Sequence, residues 1–192
     1  MYPKARLDTL SDGIFGVAMT LLVLDVRLPE AFEPRDANQL MLGLMELLPK
    51  FLPYVLSFVV LGLRWLSNIH LRTAEETCSR EYGEWWLSYH LLITCVPFAT
   101  MVVGRFASFA PAIWLYAGNT ILIAAVSYRL MALTPTFERT DHLRDRQISL
   151  ALLMLSSAIA IGWSFINPRQ ALWALAINLA GPLLSRVAGG PK

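Results

Sequence analysis

The amino-acid sequence predicts an all-α integral membrane protein with six transmembrane helices. Hydrophobic residues make up 56% of the 192-residue chain and charged residues only 16%, whereas soluble domains carry roughly one quarter charged residues. The apolar residues run in continuous blocks, several of them close to the roughly 20 residues that a helix needs to cross a bilayer. Because apolar and polar positions do not alternate within these blocks, the sequence does not fit a membrane-spanning β-barrel.

Six apolar blocks give six predicted spans, separated by proline, glycine or polar residues. The predicted spans cover residues 10–28, 47–66, 86–106, 112–133, 148–166 and 171–186. The segments between the spans are too short to form a soluble domain. Residues 1–192 are therefore expected to form a single six-helix unit within the lipid bilayer.

The positions of lysine and arginine predict the orientation of the chain. With the N-terminus in the cytosol, eleven of the 16 basic residues lie on the cytosolic side and five on the far side. Basic residues concentrate on the cytosolic side of membrane proteins, so both termini are expected in the cytosol. The six tryptophans agree with this arrangement, because all fall near predicted span ends, where indole rings prefer to lie.

The charge balance and the cysteines argue against several other classes of protein. A formal net charge of +2 is too small to indicate a nucleic-acid partner, and Cys78 and Cys95 are expected to be free thiols. His70, Glu75, Glu76 and Cys78 share one loop, but their spacing matches no standard metal site, so a solvated turn is expected instead. We expect no metal and no cofactor. No nucleophile, base or metal site converges, so we do not expect an enzyme.

The first span, SDGIFGVAMTLLVLDV at residues 11–26, carries polar residues that a plain membrane anchor does not need. At 100° per residue, one narrow stripe of the helix is apolar with a single hydroxyl layer. That stripe holds Gly13, Val17, Thr20 and Leu24, with Leu21 on its shoulder, and the opposite side holds Ser11, Phe15, Ala18 and Leu22.

Two interpretations of these polar residues stay open on local evidence. Ser11 and Asp12 can act as a helix cap, with Thr20 bonding a carbonyl one turn back. Alternatively, Arg6 and Asp12 lie close to the same membrane surface, and partly buried charges there need partners.

These residues resemble the signature of the transmembrane-protein-175 family, the potassium channels of lysosomes and prokaryotes. The first helix of that family carries arginine, three variable residues and Phe-Ser-Asp, followed by an apolar stretch leading to Thr-Leu-Leu. The present sequence has Arg6, then Leu10-Ser11-Asp12-Gly13, then Thr20-Leu21-Leu22. Weaker resemblances follow in order along the chain: Pro97-Phe98-Ala99-Thr100 in the third helix, Tyr116 with Asn119 in the fourth, and Asn167-Pro168 before the sixth.

The resemblance implies a homotetramer in which the first helix of each subunit lines a central potassium-permeable pore. Carried over residue by residue, it places Val17 at the constriction, Thr20 at a selectivity-linked threonine layer, and Leu21 and Leu24 at further apolar rings. Arg6, Ser11, Asp12 and Gly13 form the structural motif that holds the pore helix. Potassium is then the permeant ion, and a single six-helix unit indicates a prokaryotic plasma membrane.

The sequence departs from the family pattern at two places. Leu10 replaces the motif phenylalanine, and Trp65 is followed by Ser67, Asn68 and His70 where the family carries a histidine pair. We therefore expect a rearranged hydrogen-bond network around the motif.

The roles of two further residues stay open. His90 is expected either to pack at a helix interface or to sense pH. Asp25 is expected either to concentrate cations at the pore mouth or to pair with Arg27 or Arg105.

Other functions remain as alternatives to the potassium channel. A proton pathway or a secondary transporter needs a membrane fold of the same kind, although coupled transport favours a titratable residue near the bilayer midplane. None of the six predicted spans clearly carries one at its centre. A non-conducting membrane scaffold is the third class.

Overall fold

The computed structural model describes residues 1–70, 77–133 and 141–176, apart from a few side chains. Helices account for most of these residues. The elements are β1 (Tyr2–Pro3), α1 (Lys4–Leu21), a 3₁₀ turn (Leu22–Asp25), α2 (Ala37–Met45), α3 (Leu48–His70), β2 (Thr77–Cys78), α4 (Arg80–Phe106), α5 (Ala110–Ala132), α6 (Asp141–Ser164) and α7 (Pro168–Ala176).

Five helical segments of the described residues are long and apolar enough to cross a membrane. They run over Lys4–Asp25, Lys50–Ile69, Arg80–Phe106, Ala110–Ala132 and Gln147–Ser164. Each overlaps one of the first five predicted spans, although α4 begins six residues before residue 86. The sixth predicted span overlaps α7, and its part beyond residue 176 lies outside the described residues.

The spans alternate in direction, as contacts between their ends demonstrate. Trp65, near the end of α3, bonds Asp12 in the first half of α1, and Trp114, near the start of α5, bonds Ser164 at the end of α6. The side of the bundle on which α1 begins is called the N-terminal side below. There α3 and α5 end and α4 and α6 begin.

The short helix α2 is an addition to the predicted span pattern. Its nine residues carry no charged side chain, and Asp36 caps its first turn by accepting a hydrogen bond from the Gln39 N–H at 2.8 Å. At 1.5 Å per residue it is far too short to cross a bilayer. It therefore belongs to the connection between α1 and α3.

A two-residue strand pairing was not predicted from the sequence. Tyr2 lies opposite Cys78 and Pro3 opposite Thr77 in antiparallel register. The Cys78 thiol also donates to the Tyr2 carbonyl at 3.6 Å, and its burial raises the pKa of Cys78. Cys78 and Cys95 are both free, as predicted.

The core of the bundle lies where α1, α3 and α4 meet. Phe15, Ala18 and Leu22 of the first helical segment pack there against Leu61 of α3. Helix α4 adds Trp86, Tyr89 and Ile93, and α5 adds Ile123, Val126 and Leu130. One face of α1 is thereby packed against other helices of the same chain.

Candidate ion-conducting face of the first helix

The two faces of α1 differ sharply in burial. Ser11, Phe15, Ala18 and Leu22 are buried against the other helices, with Phe15 only 1% exposed. The opposite face is open, and Val17 is 59% and Leu24 64% exposed. The exposed positions include Gly13, Val17, Thr20, Leu21 and Leu24. The structure thus brings together on one outward face the stripe that helical periodicity identifies.

Thr20 uses its hydroxyl proton within its own helix. Its Oγ1 donates to the Val17 carbonyl at 2.9 Å, one turn back along α1. A hydroxyl oxygen has two lone pairs, and these remain available when its proton is donated. Thr20 therefore combines the local bond expected of an intrahelical threonine with an acceptor on the exposed face.

Ser11 is held by a buried histidine of α4. His90 Nδ1 lies 2.8 Å from the Trp86 carbonyl, and His90 Nε2 lies 2.8 Å from Ser11 Oγ. A carbonyl only accepts, so Nδ1 carries the proton, and in the neutral ring Nε2 accepts from the Ser11 hydroxyl. Trp86 and Phe15 enclose the imidazole, with ring centroids 3.9 and 6.0 Å away. Ser11 is thus tied to α4 inside the core.

Asp12 is tied to α3 instead. Trp65 Nε1 donates to Asp12 Oδ1 at 2.9 Å. Arg6 and Leu10, which precede this pair on α1, are exposed in the single subunit. An added Cβ at Gly13 meets nothing within 4 Å, so this glycine lies on open surface. Neighbouring residues of the motif therefore contact two different helices.

The far end of the first helical segment is held by an ion pair. The helix tightens into a 3₁₀ turn over Leu22–Asp25, and Arg105 at the end of α4 contacts Asp25. Arg105 Nη2 lies 2.6 Å and Arg105 Nε 2.8 Å from Asp25 Oδ1. Of the expected roles for Asp25, the pairing with Arg105 is the one observed. Arg27 pairs with Glu30 instead, at 3.6 Å.

The weaker motif residues form a polar junction behind the first helix. Ser57 of α3 lies 2.8 Å from Thr100 Oγ1 of α4 and 3.0 Å from the Tyr116 hydroxyl of α5. Asn119 of α5 donates to the Leu92 carbonyl of α4 at 3.2 Å. All three hydroxyl residues of the junction are buried. Thr100, Tyr116 and Asn119 therefore join α3, α4 and α5 and lie away from the exposed face of α1.

A metal site does not form within the part of the chain that the structure describes. Glu75 and Glu76, which the sequence places in the same loop as His70 and Cys78, lie outside that part.

Comparisons with known proteins identify several similar proteins. The family model described as the endosomal/lysosomal potassium channel TMEM175 matches residues 6–97. A potassium channel of Streptomyces collinus is 26% identical over 178 residues, covering 87% of this chain and 85% of the relative. Over residues 6–97, just under half of its length, the chain is similar to the TMEM175 family. A second relative, a potassium channel of a Chryseobacterium species, is 29% identical over 67% of this chain and 62% of its own length.

Vertebrate proteins of the family are also similar, over a shorter range. The endosomal/lysosomal proton channel TMEM175 of Rattus norvegicus is 34% identical over 83 residues, which is 38% of this chain and 17% of the rat protein. The crystal structure of a lysosomal potassium-selective channel TMEM175 homolog from Chamaesiphon minutus matches the fold with a TM-score of 0.75. That match covers 94% of this chain and 97% of the other at 23% identity.

These similarities confirm several predictions from the sequence. The chain is an all-α, multi-pass membrane protein, and the proteins to which it is similar are channels and not enzymes. The sequence did not identify the partners of the first-helix motif, Trp65 and His90. Because Trp86 and His90 are four residues apart, the sequence does indicate that they share one face of α4. It does not indicate that this face contacts Ser11.

Proposed function

We propose that this protein is a subunit of a homotetrameric, potassium-permeable cation channel of a prokaryotic plasma membrane, with both termini in the cytosol. The α1 helices of four subunits line the pore. Val17 forms the narrow apolar ring, Thr20 supplies a layer of hydroxyl groups, and Leu21 and Leu24 form further apolar rings. Arg6, Ser11, Asp12 and Gly13 fix the pore helix at its N-terminal side.

The observation that carries this proposal is the division of α1 into a fixed face and an open face. Ser11 and Asp12 are bonded to two different helices of the same subunit, so the orientation of α1 is determined within one chain. The face left open carries Thr20 among apolar side chains. One helix cannot enclose a water-filled path, so several copies must contribute the same face.

The chemistry of Thr20 favours cations over anions. Because its proton is donated to the Val17 carbonyl, the hydroxyl oxygen presents lone pairs to the open face. A ring of such oxygens can replace part of the hydration shell of a cation within an otherwise apolar stretch. The apolar rings on either side control conduction by holding or losing water.

Reconstitution tests the channel and the pore-lining face together. Purified protein in potassium-loaded vesicles should release potassium faster than matched vesicles release sodium, and cross-linking in lipid should stop at four subunits. With Cys78 and Cys95 replaced by serine, Val17→Cys should be blocked by a small charged thiol reagent. Leu91→Cys is the control, because Leu91 is exposed to a similar extent but lies on α4.

Two results would overturn the proposal. Vesicles that release neither cation would remove the channel function. If the thiol reagent blocks cation release through Leu91→Cys but not through Val17→Cys, the open face of α1 lies against lipid and does not line a pore.

Proton conduction is the second candidate, because vertebrate relatives are named endosomal/lysosomal proton channels. The open stripe of Gly13, Val17, Thr20, Leu21 and Leu24 carries no titratable side chain, so protons would have to cross through water. Acidification of vesicles that contain a pH-sensitive dye, measured without potassium or sodium, distinguishes the two. If these vesicles acidify completely, and the potassium-loaded vesicles release no potassium, the proton pathway is favoured.

A further inference from the structure

Arg64 places a permanent charge inside a membrane-spanning helix. It lies in α3 within the span Lys50–Ile69 and is only 8% exposed. Charged side chains in spans are costly, and they usually pair with an opposite charge or mark a functional site. The environment of Arg64 therefore indicates what it binds.

The guanidinium group is only partly satisfied by the protein. Arg64 Nη1 donates to Ser127 Oγ of α5 at 3.3 Å, and Ser127 gives its own proton to the Ile123 carbonyl at 2.7 Å. Arg64 Nη2 is buried and has no hydrogen-bond partner. Among the residues whose side chains the structure describes, no carboxylate forms an ion pair with Arg64. The charge therefore lacks a counter-ion from these residues.

The guanidinium group lies near the N-terminal side of the bundle, at the level of Ser127 in α5. Between the Ser57–Tyr116 contact and the Arg64–Ser127 contact, α3 advances seven residues and α5 advances eleven. At 1.5 Å per residue these steps are roughly 10 and 16 Å. The offset of about 6 Å between these two steps is shared by the long side chains of Tyr116 and Arg64. Only about 8 Å separates Ser127 from the end of α5 at Ala132.

We propose that Arg64 anchors a binding site for a phosphate oxyanion between α3 and α5, near the N-terminal surface of the bundle. The two N–H groups of Nη2 form a planar donor set that suits an oxyanion, and arginine is the usual residue for such recognition. The phosphate comes from the headgroup of an anionic lipid or from free phosphate. The existence of this site does not require the pore proposed above.

The bound phosphate completes the connection between α3 and α5. Trp65, next to Arg64 in the sequence, holds Asp12 of α1. Occupation of the site therefore stabilises the helix that orients the candidate pore helix, and its first measurable effect is on thermal stability.

Thermal unfolding of the purified full-length protein in detergent tests the site. The wild type, Arg64→Gln and a control, Arg129→Gln, are compared, because Arg129 is an exposed arginine of α5 that pairs with Glu81. Sodium phosphate is titrated against sodium gluconate at equal ionic strength, and phosphatidylglycerol against phosphatidylcholine. The midpoint temperature of unfolding should rise to a plateau with added phosphate or phosphatidylglycerol in the wild type and in Arg129→Gln. It should not change in Arg64→Gln.

The pattern of responses identifies the source of the phosphate. A rise with phosphatidylglycerol alone assigns the lipid headgroup, and a rise with inorganic phosphate as well assigns the free ion. Equal responses of the wild type and Arg64→Gln, or no response of the wild type to either compound, would overturn the proposal. An equal rise with sodium chloride would show a general anion effect and would also overturn it.

A second measurement covers the case in which Arg64→Gln does not fold. Native mass spectrometry of the wild type should retain phosphatidylglycerol or phosphate at one copy per subunit. Arg64→Lys, which keeps the charge but loses the planar donor set, should retain less than half as much. No retained adduct on the wild type contradicts the site directly.

Discussion

Replacement of Ser11 by alanine tests whether the contact with His90 holds α1, the proposed pore helix, to α4. Ser11 is 7% and His90 2% exposed, so both partners lie in the core. The change removes the only hydroxyl that faces His90 Nε2 at 2.8 Å among the described residues. The Nδ1 contact with the Trp86 carbonyl is unaffected, so the imidazole stays in place with an unsatisfied Nε2.

The magnitude follows from that unsatisfied nitrogen. A buried polar group left without a partner costs about 1–3 kcal/mol. For a chain of this size, each kcal/mol lowers the midpoint of thermal unfolding by about 2–4 °C. The Ser11→Ala protein should therefore unfold roughly 2–12 °C below the wild type.

Thermal unfolding in detergent, combined with a double-mutant cycle, provides the assay. Ser88→Ala is the matched control, because Ser88 is exposed on the same helix as His90 and bonds only a carbonyl of its own helix. His90→Phe keeps an aromatic ring but removes Nε2, so adding Ser11→Ala to it should cost little more. Strictly additive effects, or a Ser11→Ala midpoint equal to that of Ser88→Ala, would refute the reasoning.

Three further predictions concern conduction and the far end of the pore helix. Thr20→Val keeps the side-chain shape but removes the acceptor, so reversal potentials in mixed potassium and sodium should move toward no preference; unchanged potentials would exclude Thr20 from selectivity. Val17→Ile adds one methylene group to each subunit on an exposed face, and should lower current without a change in the unfolding midpoint; an increased current contradicts a constriction there. Asp25→Asn and Arg105→Gln break the same partly exposed ion pair, so each should destabilise by about 0.2–1 kcal/mol. If Arg105→Gln instead raises current at low salt, Asp25 acts by concentrating cations.

Much of the transmembrane architecture was predictable because it depends on local properties. Continuous apolar blocks identify the spans, since a bilayer requires each helix to satisfy its backbone hydrogen bonds internally. The exposed stripe of α1 was also predictable, because helical geometry fixes which side chains share a face. The separate short helix α2 was not predicted, because its apolar residues lie just before the second span and look like the beginning of that span.

The sequence by itself determined the membrane class, the first five spans and the two faces of α1. Only the tertiary structure decided which helix each motif residue contacts: Ser11 meets His90 of α4, Asp12 meets Trp65 of α3, and Asp25 meets Arg105. These partners lie 79, 53 and 80 residues apart in the chain. No periodicity connects residues at such separations, because their meeting depends on how the apolar faces of whole helices pack together. The same packing buried Arg64 beside Ser127 and left one of its nitrogens without a partner.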